Sequence, residues 1–230
     1  MLAQNSIAMD RSAIAAAAVL SRLSAESTGS ADDDLAKSPT LNFTANQEIY
    51  AEGDDTKVFY RVVSGVVRIC RFLSDGRRQI DAFYGEGEVF GFDLAATRSF
   101  SAEAVTDCVV RCYQQVKLTN DKKGATAVPQ QLFSYAMGRL AKAQEHAMVL
   151  SRRSALERVA AFLVEWAKTS RRKDIVSLAM SRTDIGDYLG LTIETVSRTL
   201  SHLERENYIA LPTARQIEIK NVAALEELYA

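Results

Sequence analysis

The segment DIGDYLGLTIETVSRTLSHL, Asp184–Leu203, reads as two short helices joined by a tight turn. Helices that cross steeply need a residue in the turn that tolerates a left-handed backbone, and Gly190 supplies it. Counted from that glycine, Ile185, Leu189, Leu191 and Val196 fall where the two helices bury apolar side chains against each other. Gly186 is the small residue at their point of contact. Thr192 is placed as an N-cap, and Glu194-Thr195-Val196-Ser197-Arg198 opens the second helix. In a docked helix-turn-helix the N-terminal residues of the second helix face the major groove. Arginine forks onto O6 and N7 of guanine, glutamate accepts from N4 of cytosine, and serine or threonine serves either way. Thr192, Glu194, Thr195, Ser197 and Arg198, with Arg182 at the start of the first helix, are therefore the candidate DNA-binding residues. Glu194 and Arg198 would also fit a plain surface ion pair worth a few tenths of a kcal/mol. The glycine, the cap and the apolar positions around them favour base reading. Thr199 departs from the pattern, standing where an aliphatic side chain would pack.

Working outward, Tyr208–Leu211 and Gln216–Ile219 predict the strands of a hairpin with Pro212–Arg215 as its turn, a wing behind the second helix. Upstream, Ala155–Thr169 has helical periodicity, and Arg171-Arg172-Lys173 follows as a solvated basic turn within reach of phosphate. A break near Ser151–Ser154 separates this helix from a longer one that begins after Pro129. There Phe133, Met137, Leu140, Gln144 and Ala147 recur at spacings of four, three, four and three. That heptad-like stripe suits a dimerisation seam, although a helix packed only on its own barrel gives the same pattern.

From Leu41 to about Val116 glycines punctuate short apolar runs such as Val58–Val63, Val66–Phe72 and Gln79–Phe83, and Ser74-Asp75-Gly76 marks a hairpin turn. Six or more short strands predict a compact β-roll. The expected class is α+β. The boundaries are an N-terminal extension and linker over 1–40, a β-roll over 41–128, a dimerisation helix over 129–152 and a winged helix-turn-helix over 153–230. Within the first of these, the alanine-rich start is expected to form a short helix, and Glu26–Thr40 reads as a polar linker.

Of the 230 residues 47% are hydrophobic and 25% charged, as in ordinary globular proteins, and the net charge of −1 excludes a polycation that coats nucleic acid. A local bias remains, with twelve Lys/Arg against nine Asp/Glu between Arg152 and Lys220. Three cysteines, Cys70, Cys108 and Cys112, disfavour a closed disulfide framework and read as buried thiols of a reducing cytosol. The apolar run Ala13–Leu20 follows Asp10 and is too short for a membrane span, so a cytoplasmic protein is expected. His146 and His202 are the only histidines, each read as a surface or packing residue. With none on the strands, a metal-dependent β-roll enzyme is disfavoured, and neither metal nor cofactor is expected.

A β-roll, a long helix and a winged helix-turn-helix bearing Glu194-Thr195-Val196-Ser197-Arg198 resemble the Crp/Fnr family of bacterial transcription regulators from about Leu41 to Glu227. Asp75–Phe83 (DGRRQIDAF), Gly87–Gly91 (GEVFG) and Glu194-x-x-Ser197-Arg198 are similar to its FixK-like branch. The resemblance implies a homodimer that reads a palindrome of the type TTGAT–four bases–ATCAA on double-stranded DNA and, with RNA polymerase, activates genes of low-oxygen metabolism and nitrogen fixation. It also implies which sensors are missing. Cyclic-nucleotide-binding members hold phosphate with an Arg-Ser-Ala-like element, but here Phe100 precedes Ser101-Ala102, and Arg98 is two residues out of register. Residues 1–69 lack the cysteines of an iron–sulfur site, and Ser181 stands in the stretch where some relatives carry a redox-active cysteine. A regulator gated by an unknown small molecule in the roll is the alternative.

Overall fold

The structure, a computed structural model, describes residues 38–93, 95–114, 130–152, 154–169 and 175–229. The expected N-terminal helix and linker and the basic turn 171–173 lie outside these residues. The chain divides into two compact units, one of residues 1–69 and 83–119, the other of 70–82 and 120–230.

Eight strands build the roll: β1 (Thr40–Phe43), β2 (Glu48–Tyr50), β3 (Val58–Ser64), β4 (Val67–Phe72), β5 (Arg78–Tyr84), β6 (Val89–Phe90), β7 (Ser101–Ala104) and β8 (Cys108–Gln114). They form two four-stranded sheets, ordered β1-β8-β3-β6 and β2-β7-β4-β5. Alternation puts Val62 directly opposite Val110 on antiparallel β3 and β8, and both are buried. Tyr50, Tyr60 and Phe90 stack on one another inside the first unit. At Gly65, where φ is +88°, a Cβ would stand 2.5 Å from the carbonyl oxygen of Asp107, so only glycine fits this turn between β3 and β4. The Ser74-Asp75-Gly76 turn forms as predicted: Gly76 donates to the carbonyl of Leu73 at 2.9 Å, and Asp75 accepts from the Arg77 N–H at 3.0 Å.

In the second unit α1 (Gln130–Ser151) is followed by α2 (Ala155–Thr169), with the break where the sequence placed it. Ser154 accepts from the Glu157 N–H at 3.1 Å, which satisfies one free donor at the start of α2. Val159, Ala160, Phe162, Leu163 and Val164 make α2 the buried centre, packed on the helices and the strand around it. The rest of the unit is β9 (Ile175–Ser177), α3 (Arg182–Leu189), α4 (Ile193–Arg205), β10 (Ile209–Thr213), β11 (Gln216–Ile219) and α5 (Val222–Glu227).

The wing differs from the expected hairpin in two ways. It has three strands, ordered β10-β11-β9. A three-residue strand such as β9 is too short to show an alternation in sequence. Pro212 lies inside β10, where the register shifts between Ala210 and Thr213, rather than in the turn. β10 is an edge strand, so a residue without an N–H costs the ladder nothing there.

Candidate DNA-binding interface

The motif is built locally. Ser181 is the N-cap of α3 in a reciprocal capping box: its hydroxyl accepts from the Asp184 N–H at 3.1 Å, and the Asp184 carboxylate accepts from the Ser181 N–H at 3.0 Å. Ser181 thus has a structural task at the start of α3. Gly190 ends α3 in the left-handed conformation, φ 65° and ψ 40°, and the N–H of Leu191 reaches the carbonyl of Gly186 at 2.9 Å. A Cβ on Gly186 would come within 2.6 Å of the carbonyl oxygen of Leu191, so the small residue is needed against the turn backbone. Ile185, Leu189, Val196, Leu200 and Leu203 are buried between the helices, while Leu191 is only half-buried.

Thr192 caps α4 by accepting from the Thr195 N–H at 3.2 Å, and the two threonine hydroxyls are 3.1 Å apart. Thr199, the odd residue of the motif, is buried and donates its hydroxyl to the Thr195 carbonyl at 2.8 Å. A polar side chain is tolerated in the apolar seam because the helix backbone satisfies it.

The first turns of α4 present Ile193, Glu194, Ser197 and Arg198 around one shallow, open depression. Glu194 and Arg198 are exposed, and among the described residues neither makes an ion pair. The N–H of Glu194 itself and the Thr192 hydroxyl, with a smaller contribution from Arg198, hold the Glu194 carboxyl below the usual carboxylate range. It is an anion at neutral pH and can only accept hydrogen bonds. Arg182 is the first residue of α3 and half-buried. The structure thus brings Thr192, Glu194, Thr195, Ser197 and Arg198 together at one helix start.

Arg152, in the segment that carries the basic excess, is half-buried and engaged by its own chain. Its guanidinium donates to the Tyr229 carbonyl and lies 4.7 Å from the centre of the Tyr229 ring. On α1, Phe133 is 59% exposed, Met137 48% and Leu140 49%, and Gln144 and Ala147 are exposed as well. Among the described residues nothing covers this stripe. The other face of α1 is buried at His146 and Val149. The His146 ring stacks on Tyr188 with centroids 3.8 Å apart, and its Nε2 lies 2.8 Å from the Tyr188 carbonyl. Burial lowers the imidazole pKa, consistent with a packing role.

Inside the roll, Arg98 is 3% exposed. It donates to the carbonyls of Gly91 and Val58, approaches the Asp93 carboxylate at 3.3 Å, and lies 4.3 Å from the centre of the Tyr50 ring. The out-of-register arginine is therefore held by protein groups, and a phosphate would have to compete with all of them. Cys70, Cys108 and Cys112 are buried, and none is joined in a disulfide among the described residues. Burial pushes the thiol of Cys108 up to about 11 and that of Cys112 up to about 12, so thiolate is scarce at neutral pH. The native protein is expected to leave a thiol-disulfide reagent such as DTNB nearly uncoloured until denaturant is added. Rapid release of a full thiol equivalent from native protein would contradict this.

Fold and site together define a winged helix-turn-helix protein with a β-roll. Residues 157–228 match the Crp-like helix-turn-helix domain and residues 40–120 the cyclic nucleotide-binding domain. The chain is 43% identical over 195 residues to the nitrogen fixation regulation protein FixK of Azorhizobium caulinodans, covering 81% of this chain and 77% of that protein. It is 35% identical to the transcriptional activatory protein AadR of Rhodopseudomonas palustris, covering 74% of this chain and 73% of AadR. The solved structure of FixK2 from Bradyrhizobium japonicum superposes with a TM-score of 0.77 at 39% identity, covering 84% of this chain and 98% of that one. The chain belongs to the Crp/Fnr family of transcription regulators and is FixK-like within it. No helix among the described residues is long and apolar enough to cross a membrane.

Proposed function

We propose that this chain acts in the cytoplasm as a homodimer that binds the TTGAT–four bases–ATCAA palindrome without a small-molecule effector. It then activates low-oxygen or nitrogen-fixation genes by contact with RNA polymerase. Arg198 forks onto a guanine, Glu194 accepts from a cytosine, and Ser197 and Thr195 contact bases or phosphates. Thr192 and Arg182 stand at the two helix starts, where backbone N–H groups favour phosphate. The single observation that carries this reading is the open start of α4, with exposed Glu194 and Arg198 beside half-buried Ser197 on one face and Glu194 and Arg198 free of ion pairs among the described residues. The names of the relatives support activation and nitrogen fixation as its setting. The uncovered stripe Phe133, Met137, Leu140, Gln144 and Ala147 supports the dimer, which would place two α4 helices about 34 Å apart, one helical turn of DNA. The working divisions are a roll over 41–128, a dimerisation helix over 129–152 and a DNA-binding domain over 153–230. The engagement of Arg98 supports independence from cyclic nucleotides.

Fluorescence anisotropy of ligand-free protein on the palindrome and on a scrambled duplex at the same salt tests this. Selective binding, unchanged by added cyclic AMP, is the expected result. Binding no better than to the scrambled duplex would reject the effector-free reading and bring the ligand-gated alternative forward.

A further inference from the structure

Residues 70–82, the arm of the β4–β5 hairpin, belong to the second unit and touch two of its helices. From β5, Arg78 sends Nη2 to Oδ1 of Asp184 at 2.5 Å and Nε to Oδ2 of Asp187 at 2.8 Å. These carboxylates lie three residues apart on α3, so one guanidinium spans both. The Asp184 side chain is 5% exposed, and its other oxygen closes the capping box with Ser181. Three residues along the same strand, Asp81 accepts from Nη2 of Arg139 on α1. α1 grips α3 in turn through the His146–Tyr188 stack. Arm, α1 and α3 thus form a closed triangle of contacts. The Gly186–Leu191 backbone approach leaves α3 and α4 little freedom between them, so what orients α3 orients α4.

We propose that Arg78 is a positioning residue for DNA reading: by bridging Asp184 and Asp187 it sets α3, and with it α4, in the orientation that reads the operator. The bridge needs an arginine. A lysine is a point charge that cannot present two fixed N–H directions to two carboxylates. Without it, two like charges three apart repel, and the nearly buried Asp184 loses a partner for its charge. The inference rests on the operator reading above, and its test separates the two.

Full-length wild type, R78A, R78K, D187A and R78A/D187A are compared by anisotropy on the palindrome and the scrambled duplex, and by hydrogen exchange of peptides across residues 182–203. Asp184 is left intact because its loss would also break the cap. R78A and R78K are expected to bind the palindrome about tenfold more weakly, with binding to the scrambled duplex unchanged. The double variant should be no weaker than R78A alone, and exchange should rise in α3 but not in α2. Wild-type or tighter operator binding by R78A, full rescue by R78K, or simple additivity with D187A would each overturn the proposal. Wild-type protein that ignores the palindrome would defeat the operator reading instead. The bridge would then be judged by exchange alone: faster exchange in α3 of R78A upholds it, and unchanged exchange overturns it.

Discussion

Leu140→Glu is expected to convert the protein to a monomer and to lower its affinity for the palindrome by about a thousandfold, equivalent to ~4 kcal/mol. Leu140 sits in the middle of the stripe on α1, 49% exposed, between Met137 and Gln144. Full burial of a large apolar side chain stabilises by about 1.5–3 kcal/mol, so covering the exposed half of each contributes on the order of 1 kcal/mol. In a two-fold seam every residue contributes twice. A glutamate there removes that gain and leaves two carboxylates facing each other away from water, at a cost of several kcal/mol more. The protomer itself should fold, because the position is half open in the single chain. Sedimentation equilibrium gives the mass and circular dichroism checks the fold. A Leu140→Glu protein that stays dimeric and binds the operator like wild type would remove the assigned seam.

Arg198→Ala is expected to cost on the order of 1–3 kcal/mol at each half-site and to flatten discrimination at one base pair, the guanine that the fork would contact. Arg198 is exposed and makes no ion pair among the described residues, so the change should leave stability within a few tenths of a kcal/mol. The informative measurement is competition against duplexes carrying every single base-pair change in one half-site, at fixed salt. Loss of selectivity at one position with the others retained is the signature of a base contact. A uniform weakening across the panel would reassign Arg198 to a phosphate, and unchanged selectivity would end its role as a reader.

The helix-turn-helix was legible in sequence because its determinants are local. A left-handed glycine, a cap that accepts from the residue three ahead, and apolar residues repeating at three and four positions act over a single helical turn. For that reason Gly190, Thr192, Ile185, Leu189 and Val196 are where the pattern placed them. The hairpin turn at Ser74-Asp75-Gly76 and the helix Ala155–Thr169 were readable on the same grounds. Thr199 looked like a flaw because sequence does not reveal that a helix carbonyl will satisfy its hydroxyl.

What amino-acid order alone determined is the type of the longer elements, the turn and cap of the helix-turn-helix, and the chemistry that the first turns of α4 carry. The tertiary structure alone decided which charges are free. Arg78 and Asp184 are 106 positions apart, and nothing near either announces the other. Arg152 and Tyr229 are 77 apart, and their contact engages a cation that the local charge count alone had left unplaced. Arg98 looked misplaced by two residues, yet the roll folds around its guanidinium. Backbone preferences are set by near neighbours and survive in the sequence. Pairing of charges depends on which distant strands and helices the chain brings together, and that is known only once it has folded.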